Sequence, residues 1–148
     1  RKKVTLVTGA AGEFDGEEAA AAGEFDVAAD GITITAEREQ TVDFSDPYMQ
    51  YGQMLLARMD EDRFTDATSF AANLDLRVAV QQGTTNEIAA IDLVGEDRVD
   101  SYANFGVAVQ AVLSGDGDAV VIDSVAGIGW INENPGQLKF EIEEHTSE

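Results

Sequence analysis

Short apolar runs alternate with amphipathic stretches along most of this chain. Residues Ala119–Ile122 form a continuous apolar run of strand length, whereas Asn104–Leu113 places Phe105, Val109 and Val112 on one face of a helix. The predicted strands are Val4–Val7, Phe25–Ala29, Tyr51–Arg58, Arg77–Val80, Arg98–Ser101, Ala119–Ile122 and Leu138–Ile142. The predicted helices are Glu17–Ala22, Ala67–Leu74, Thr85–Ile91, Asn104–Leu113 and Ser124–Ile131, with a turn at Thr35–Arg38. This alternation predicts an α/β fold with a largely parallel sheet.

The amino-acid composition restricts the possible binding partners of the chain more than it restricts the fold. The 148 residues include 9 basic and 29 acidic side chains, so the formal net charge is −20. Such a charge argues against nucleic acid and anionic membranes as partners. It suits a protein that works in high salt, and equally an ordinary acidic protein. There is no cysteine and therefore no disulfide. No apolar run approaches the ~18 residues of a membrane span, and no signal peptide is expected in this chain.

The first segment that suggests chemistry follows the predicted strand Phe25–Ala29. Gly31 comes at the strand's carboxyl end, where open α/β sheets place their ligands. Thr35 is suited to cap a short helical turn, with Glu37 in its first turn and Arg38 projecting from it. A guanidinium at this place has a planar fork of donors that matches a carboxylate. The alternative for Arg38 is a surface ion pair with a nearby carboxylate.

A second segment joins the predicted strand Arg77–Val80 to the helix that begins at Thr85. Its turn contains Gly83 and Thr84. Free N–H groups at a helix start, together with the two threonine hydroxyls, would form a cup for an anion. The alternative is an ordinary strand-to-helix turn with a threonine cap.

The third segment ends in Asp123, between the apolar strand Ala119–Ile122 and a predicted helix start. Its carboxylate is placed either to bind a cationic group or to cap the helix that follows. Asp116 and Asp118 give a superficial likeness to a calcium loop, but the other ligand positions of such a loop are missing. No metal site is predicted.

These three segments, with the corner at Asp43–Tyr48, resemble the extracytoplasmic solute-binding proteins of family 3, which serve polar amino-acid ABC importers. The resemblance covers residues 14–148. It implies an α/β fold of the type 2 periplasmic-binding-protein kind, with two lobes and mostly parallel sheets. Residues 1–48 would be part of lobe one, residues 49–52 a hinge crossing and residues 53–147 lobe two. The first lobe would then be incomplete in this chain.

The same resemblance implies a set of ligand contacts. The α-carboxylate of an amino acid would be held by Thr33, Arg38, Thr84 and Thr85. The α-ammonium would be held by Asp123 and the carbonyl of Gly31. The ligand side chain would meet Phe14 and Gln81, and Asp30 would add a carboxylate that favours a cationic ligand or simply points away. Opposite charges at the two ends of the site would select a zwitterion.

The implied function is binding of a free amino acid, polar or charged, between the lobes and its delivery to the membrane permease of an ABC transporter. No catalysis, cofactor, metal or nucleic acid is involved in this interpretation. The protein is expected to be a monomer that is periplasmic, or extracellular and anchored to a membrane.

Two alternatives remain open at this point. The glycines Gly9, Gly12 and Gly16 after an apolar strand are similar to the NAD(P)-binding opening of a short-chain dehydrogenase, although no Tyr-x-x-x-Lys motif follows. The solute-binding fold also serves as the ligand-sensing domain of receptors and, rarely, as a dehydratase of prephenate-like acids. A Ser/His/Asp triad is not proposed, since His145 is the chain's one histidine.

Overall fold

The computed structural model describes residues 6–7, 26–29 and 31–141. Contacts divide the chain into two units, Arg1–Gln50 and Tyr51–Glu148. The predicted helix Glu17–Ala22 and the glycine-rich run at residues 9–16 lie outside the described residues.

The described part of the first unit is a small parallel pairing followed by a helical turn. Strand β1 (Leu6–Val7) pairs in parallel with β2 (Val27–Ala28). β2 lies within the predicted strand Phe25–Ala29. The chain then turns at residues 36–37 and forms a short 3-10 helix, Arg38–Gln40. The predicted turn therefore becomes a short helix that begins at the arginine itself.

The described part of the second unit, residues 51–141, contains five strands and four α-helices whose bounds follow the hydrophobic pattern to within a few residues. In chain order these elements are β3 (Gln53–Arg58), α1 (Ala67–Ala72), β4 (Val78–Gln81), α2 (Thr85–Val94), β5 (Val99–Tyr102), α3 (Phe105–Ser114), β6 (Ala119–Asp123), α4 (Ser124–Glu133) and β7 (Leu138–Glu141). A 3-10 turn, Glu96–Arg98, precedes β5.

These strands form one mixed sheet in the order β5-β4-β6-β3-β7. β4 is parallel to both β5 and β6, whereas β3 is antiparallel to its two neighbours, β6 and β7. Four of the five strands therefore point the same way. The predicted α/β fold with a mostly parallel sheet is confirmed, and the one reversed strand lies inside the sheet.

Alternate residues of the strands pack on opposite faces of this sheet, as strand geometry requires. One core contains Val78, Val80 and Val121 with Phe70 of α1. The other contains Ala79, Val120 and Ile122 with Val109 of α3. Helices thus cover both faces, which explains why β4 and β6 are continuously apolar up to their last residues, Gln81 and Asp123, rather than alternating.

Local sequence determines where these helices begin and end. Asp66 and Ser69 form a reciprocal capping box at the start of α1, with Ser69 N donating to Asp66 Oδ1 at 2.6 Å. The helix predicted over Ala67–Leu74 ends at Ala72, because Asn73 is already extended. At the end of α3, Gly115 adopts the left-handed conformation (φ 87°) that terminates many helices.

The sheet of the second unit has two chemically different edges. The carboxyl edge is where β4 and β6 end, at Gln81 and Asp123, and where β3 begins with Gln53 opposite Asp123. The amino edge is where β6 begins after Asp118 and β3 ends at Arg58. In open α/β sheets the ligand-binding crevice lies at the carboxyl ends of the strands. None of the helices in the described ranges is both long and apolar enough to cross a membrane.

Ion pairs concentrate at the amino edge around one buried carboxylate. Glu61 is 4% exposed. Arg63 binds it through Nε (2.9 Å to Oε1) and Nη2 (2.5 Å to Oε2), and Arg58 Nη2 lies 3.2 Å from Oε2. Arg63 also pairs with Asp118, and Lys139 Nζ donates to the Glu61 backbone carbonyl at 2.6 Å. These bonds tie the segment after β3 to the starts of β6 and β7.

Candidate functional site

Asp123 ends β6 and directly precedes α4, so it occupies the N-cap position of that helix. Its side chain nevertheless makes no capping hydrogen bond. Instead Asp123 Oδ1 accepts a hydrogen bond from Asn86 Nδ2 at 3.0 Å. The carboxylate is therefore not used as a helix cap, the structural role that the sequence left open for it.

The environment of Asp123 disfavours its negative charge. Partial burial raises the pKa of Asp123 above its ordinary value, and the hydrogen bond from Asn86 offsets only part of this. Within the described residues no lysine or arginine forms an ion pair with Asp123, and its hydrogen-bond partner is a neutral amide. A partly buried carboxylate of this kind, at the ligand edge of a sheet, is suited to bind a cationic group from outside.

The start of α2 forms the neighbouring part of the carboxyl edge. Thr84 is its N-cap: the hydroxyl accepts from Glu87 N at 3.2 Å and donates to the Gln81 carbonyl at 2.7 Å. The Thr85 hydroxyl accepts from Gln53 Nε2 at 3.3 Å. The first N–H groups of an α-helix have no acceptor within the helix, and its amino end attracts anions. The predicted threonine cap is thus present, and it uses the Thr84 hydroxyl that was also predicted to contact a ligand.

Gln81, the last residue of β4, uses its side chain to connect two elements. Its Oε1 accepts a hydrogen bond from the Phe105 backbone N–H at 3.2 Å, in the first turn of α3. Asn104 caps the same helix by accepting from Val107 N at 3.0 Å. Gln81 therefore lies at the carboxyl edge with its amide oxygen bonded to the start of α3.

In the first unit the predicted site residues surround the 3-10 helix. Arg38 is partly buried, and its Nη1 donates to the Thr33 backbone carbonyl at 3.0 Å. The Thr35 hydroxyl accepts from the Arg38 backbone N–H at 3.2 Å, so Thr35 supports the turn much as the sequence predicted. Because a guanidinium carries five N–H donors, the side chain can bind Thr33 and another oxygen ligand together. Gly31 is exposed and lies two residues before Thr33.

The structure thus groups the predicted site residues within each unit. Thr33 and Arg38 are bonded in the first unit, while Gln81 and Thr84 are bonded in the second, where Thr85 and Asp123 each have an amide partner. Phe14 and Asp30 lie outside the described residues, so their predicted roles stay predictions. In the described ranges no three His, Cys, Asp or Glu side chains gather as a metal site would require.

A cavity of about 350 Å³ lies between β3 and α2 in the second unit. Its lining is mostly apolar. The lining residues are Gln53, Met54, Leu55, Ala67, Ala89, Asp92, Leu93, Val121 and Glu141. None of the predicted ligand contacts belongs to this set, although Gln53, which bonds the Thr85 hydroxyl, lines the cavity.

Two amides at the carboxyl edge were not anticipated from the sequence. Asn86 is 3% exposed, in the first turn of α2, and holds Asp123. Gln53 opens β3 in register with Asp123 and holds Thr85. A signal for Asn86 did exist, because a polar residue on the inward face of a helix needs a buried partner. Gln53 gave none, since the register of β3 against β6 is not encoded locally.

The sequence pattern of a known protein family matches residues 11–122 of this chain. That family is described as bacterial extracellular solute-binding proteins, family 3. The match contains the predicted contacts from Phe14 to Thr85 and stops one residue before Asp123.

Individual relatives agree with this match. The chain is 30% identical to a probable histidine-binding protein of Campylobacter jejuni over 128 residues, which are 86% of this chain and 48% of the relative. It is 30% identical to a glutamine-binding protein of Geobacillus stearothermophilus over 113 residues, 76% of this chain and 42% of the relative. The chain thus spans about half the length of the curated relatives it matches.

Solved structures extend the likeness to the fold. An ancestral arginine-binding protein bound to glutamine superposes with a TM-score of 0.78 at 34% identity, over 88% of this chain and 58% of that one. The arginine-, lysine-, histidine-binding protein ArtJ of Geobacillus stearothermophilus gives a TM-score of 0.76 at 29% identity, covering 86% and 54%. An ancestral amino acid-binding protein described as a precursor of cyclohexadienyl dehydratase gives 0.75 at 35%, covering 86% and 55%. Taken with the geometry of the carboxyl edge, these matches mean that the chain belongs to the bacterial extracellular solute-binding proteins of family 3.

Proposed function

We propose that this chain binds a free amino acid, with Asp123 holding the α-ammonium group. The observation that carries the proposal is the state of Asp123: partly buried, not used as a cap, and bonded to a neutral amide. An ammonium group has three donors and a positive charge, and both suit a carboxylate that has lost part of its hydration. Opposite charge then stabilises the ionised form of Asp123 when the ligand binds. The Gly31 carbonyl is proposed as a second acceptor.

The α-carboxylate is proposed to bind Arg38, Thr33 and the start of α2 with Thr84 and Thr85. Arg38 offers a planar fork to a carboxylate, and its position is already supported by Thr33 and Thr35. The amino end of α2 offers backbone N–H groups and a favourable dipole. Thr84 would contribute its backbone rather than its hydroxyl, which caps the helix.

The ligand is proposed to be a polar or charged amino acid. In support, the relatives are named for binding histidine, glutamine, glutamate and arginine. Gln81 is proposed to meet the ligand side chain through Nε2, and Phe14 to pack against it. Asp30 is proposed to favour a basic ligand.

For the whole protein we propose delivery of the amino acid to the membrane permease of an ABC importer. Residues 1–48, 49–52 and 53–147 would serve as part of lobe one, a hinge crossing and lobe two. The relatives carry names of extracellular and periplasmic binding proteins, which supports a periplasmic or extracellular location; anchoring to the membrane and a monomeric state are further parts of the proposal.

Binding is proposed to occur without turnover. The family and the relatives are named as binding proteins, and they favour this over the short-chain dehydrogenase alternative. The dehydratase precursor among the similar structures is the one observation that favours an enzyme of this fold. A receptor sensor domain would bind the same ligand. An assay for loss of carbon dioxide from prephenate-like acids distinguishes the dehydratase, and no turnover is expected.

Calorimetric titration of the complete natural protein against all common amino acids tests the proposal. We expect heat from one or a few polar or charged amino acids. Their des-amino analogues, which lack the ammonium group, should bind at least about a hundredfold more weakly, because they would leave the partly buried Asp123 without a cationic partner. Arg38→Ala should weaken the same ligand severely, while Arg77→Ala, which removes an exposed pair with Asp100, is the matched control. Absence of heat from every amino acid would overturn the proposal.

A further inference from the structure

Asn86 is a buried amide that is bonded to Asp123, the proposed acceptor of the ligand's ammonium group. It is the second residue of α2 and is 3% exposed. Asparagine is an indifferent helix former, and a buried amide costs stability unless it is hydrogen-bonded. An apolar residue would be the ordinary choice at such a position. The side chain instead points to β6 and donates Nδ2 to Asp123 Oδ1 at 3.0 Å.

We propose that Asn86 is a positioning residue that holds Asp123 in place for the ligand's ammonium group and keeps its second oxygen available. This inference rests on the proposed function. A carboxylate has about four acceptor sites on two oxygens. Asn86 bonds Oδ1, and within the described chain no other hydrogen bond to Asp123 is made by a side chain. Oδ2 is thereby left to accept from the ammonium group.

A neutral amide is chemically suited to this task. An arginine or lysine at position 86 would form an ion pair with Asp123 and compete with the ligand for it. A hydrophobic residue at position 86 would leave the carboxylate partly buried without a hydrogen-bond donor, and burial disfavours its charged form. An amide supports the charged form through one hydrogen bond and contributes no charge of its own.

Among the groups on the elements around β6, Asn86 is the one that stabilises the negative charge of Asp123. Ionisable residues on the elements packed against β6 are Arg58 on β3, Glu87 and Asp92 on α2, and Glu133 on α4. Arg58 and Glu133 lie at the far ends of their elements. Glu87 is bonded to Gly83 N and Ser101 Oγ, and Asp92 follows Asn86 by six residues, a helical rise of about 9 Å. The influences on the pKa of Asp123 are burial, which raises it, and Asn86, which lowers it.

The test replaces Asn86 and measures ligand affinity against pH in the complete protein. The probe is the amino acid that gives the strongest heat with the wild-type protein. Asn86→Leu keeps the branching at Cγ but removes the donor, so affinity at neutral pH should fall about ten- to hundredfold, the value of a hydrogen bond to a charged group. Because the pKa of Asp123 would rise further, the loss of affinity on acidification should also begin at a higher pH.

Asn134→Leu is the matched control. It removes an amide that donates Nδ2 to the Trp130 carbonyl at 2.9 Å, in the same unit but with a backbone carbonyl rather than a carboxylate as its acceptor. Its affinity and pH profile should equal those of the wild-type protein. An Asn86→Leu protein with an unchanged pH profile would overturn the inference while leaving the proposed function intact. A wild-type protein that binds no amino acid would instead refute the function.

A second measurement needs no variant and no ligand. In the wild-type protein, the side-chain amide resonances of Asn86 should shift with pH at the same midpoint as the carboxyl carbon of Asp123. If the amide resonances do not respond to that titration, the two groups are not bonded in solution and the inference is wrong. This result also covers the case in which Asn86→Leu fails to fold.

Discussion

The two edges of the sheet in the second unit each contain a buried or half-buried carboxylate. The two carboxylates differ in the charge of their partners and in the direction in which their pKa is shifted. At the amino edge, Glu61 is bound by Arg63 and Arg58, and hydrogen bonds from Arg63 lower its pKa from 4.5 to about 2. At the carboxyl edge, Asp123 has the neutral Asn86 as its partner, and burial raises its pKa. One carboxylate is fully neutralised inside the fold and the other is not.

This difference distinguishes a carboxylate that stabilises the fold from one that is proposed to bind the ligand. Removing one partner from a buried ion pair leaves the other uncompensated, so the Glu61 cluster is expected to stabilise the fold as it stands. Asp123 costs folding energy in its ionised form, and that cost is offset when a cation binds. The pairing of a carboxylate is thus more informative about function than its burial alone.

The largest expected effect comes from Asp123→Asn. The substitution removes the charge that is proposed to meet the ammonium group, and truncating one partner of a buried charge pair costs about 2–5 kcal/mol of binding, roughly thirtyfold or more. Stability at neutral pH should stay equal or rise, because a carboxylate with a raised pKa is removed. Titration calorimetry and urea unfolding measure the two quantities. Wild-type affinity in this variant would remove Asp123 from the site.

Glu61→Gln should give the reverse result. A pKa lowered from 4.5 to about 2 corresponds to about 3 kcal/mol of stability at neutral pH, which the substitution should forfeit. Urea unfolding measures it. Asp62→Asn, which removes an exposed carboxylate next in the chain, is the control and should change stability by no more than about 0.5 kcal/mol. Equal stability of the two variants would contradict the structural role given to Glu61, and ligand affinity of folded Glu61→Gln should be unchanged.

Acidification should abolish binding before it unfolds the protein. Because the folded pKa of Asp123 is raised above its ordinary 3.8, affinity should decline as the pH falls through that raised value. Glu61 has a lowered pKa, so its contribution to stability is fully present above 4.5 and is lost only as the pH falls toward about 2. Circular dichroism and ligand titration over the same pH series give the two curves. Coincident curves would mean that binding is lost through unfolding.

The smallest effect expected is that of Thr84→Ala. Its hydroxyl caps α2, so the loss should be about 1 kcal/mol of stability. Affinity should change little, because the backbone N–H groups are proposed to meet the ligand. Thr84→Ser retains the hydroxyl and should restore stability. A large loss of affinity with stability preserved would show that the hydroxyl contacts the ligand directly.

Local sequence predicted the elements of the second unit well. The apolar run at Ala119–Ile122 appears as β6 with one extra residue, and the one-sided face of Asn104–Leu113 appears as α3, shifted by one residue toward the carboxyl terminus. Both predictions depended on periodicity, which is a property of neighbouring residues. The antiparallel direction of β3 was not predicted, because strand order depends on contacts between distant segments.

The candidate site was predicted less completely, and the missing parts are the supporting residues. Asp123 and the Thr84–Thr85 turn could be proposed from motifs, since their chemistry is visible in the residue types. Asn86 lies directly beside that turn, yet its partner is 37 positions away in the chain. At the amino edge, opposite charges follow one another closely in the sequence, at Arg58, Glu61 and Arg63. The burial of Glu61 could not be predicted from that spacing, because it depends on the packing of β7 and α3 around this segment.

In the proposed site, the Asp123 carboxylate binds the α-ammonium group of the ligand. Calorimetric titrations in two buffers of different ionisation enthalpy measure the protons exchanged when the amino acid binds. Since the unliganded pKa of Asp123 is raised and an ammonium group favours its ionised form, binding at a pH near that raised value should release protons. The release should increase as the pH falls from neutrality toward that value and should disappear in Asp123→Asn. Binding that releases no protons in the wild-type protein, or the same number in Asp123→Asn, would contradict the account.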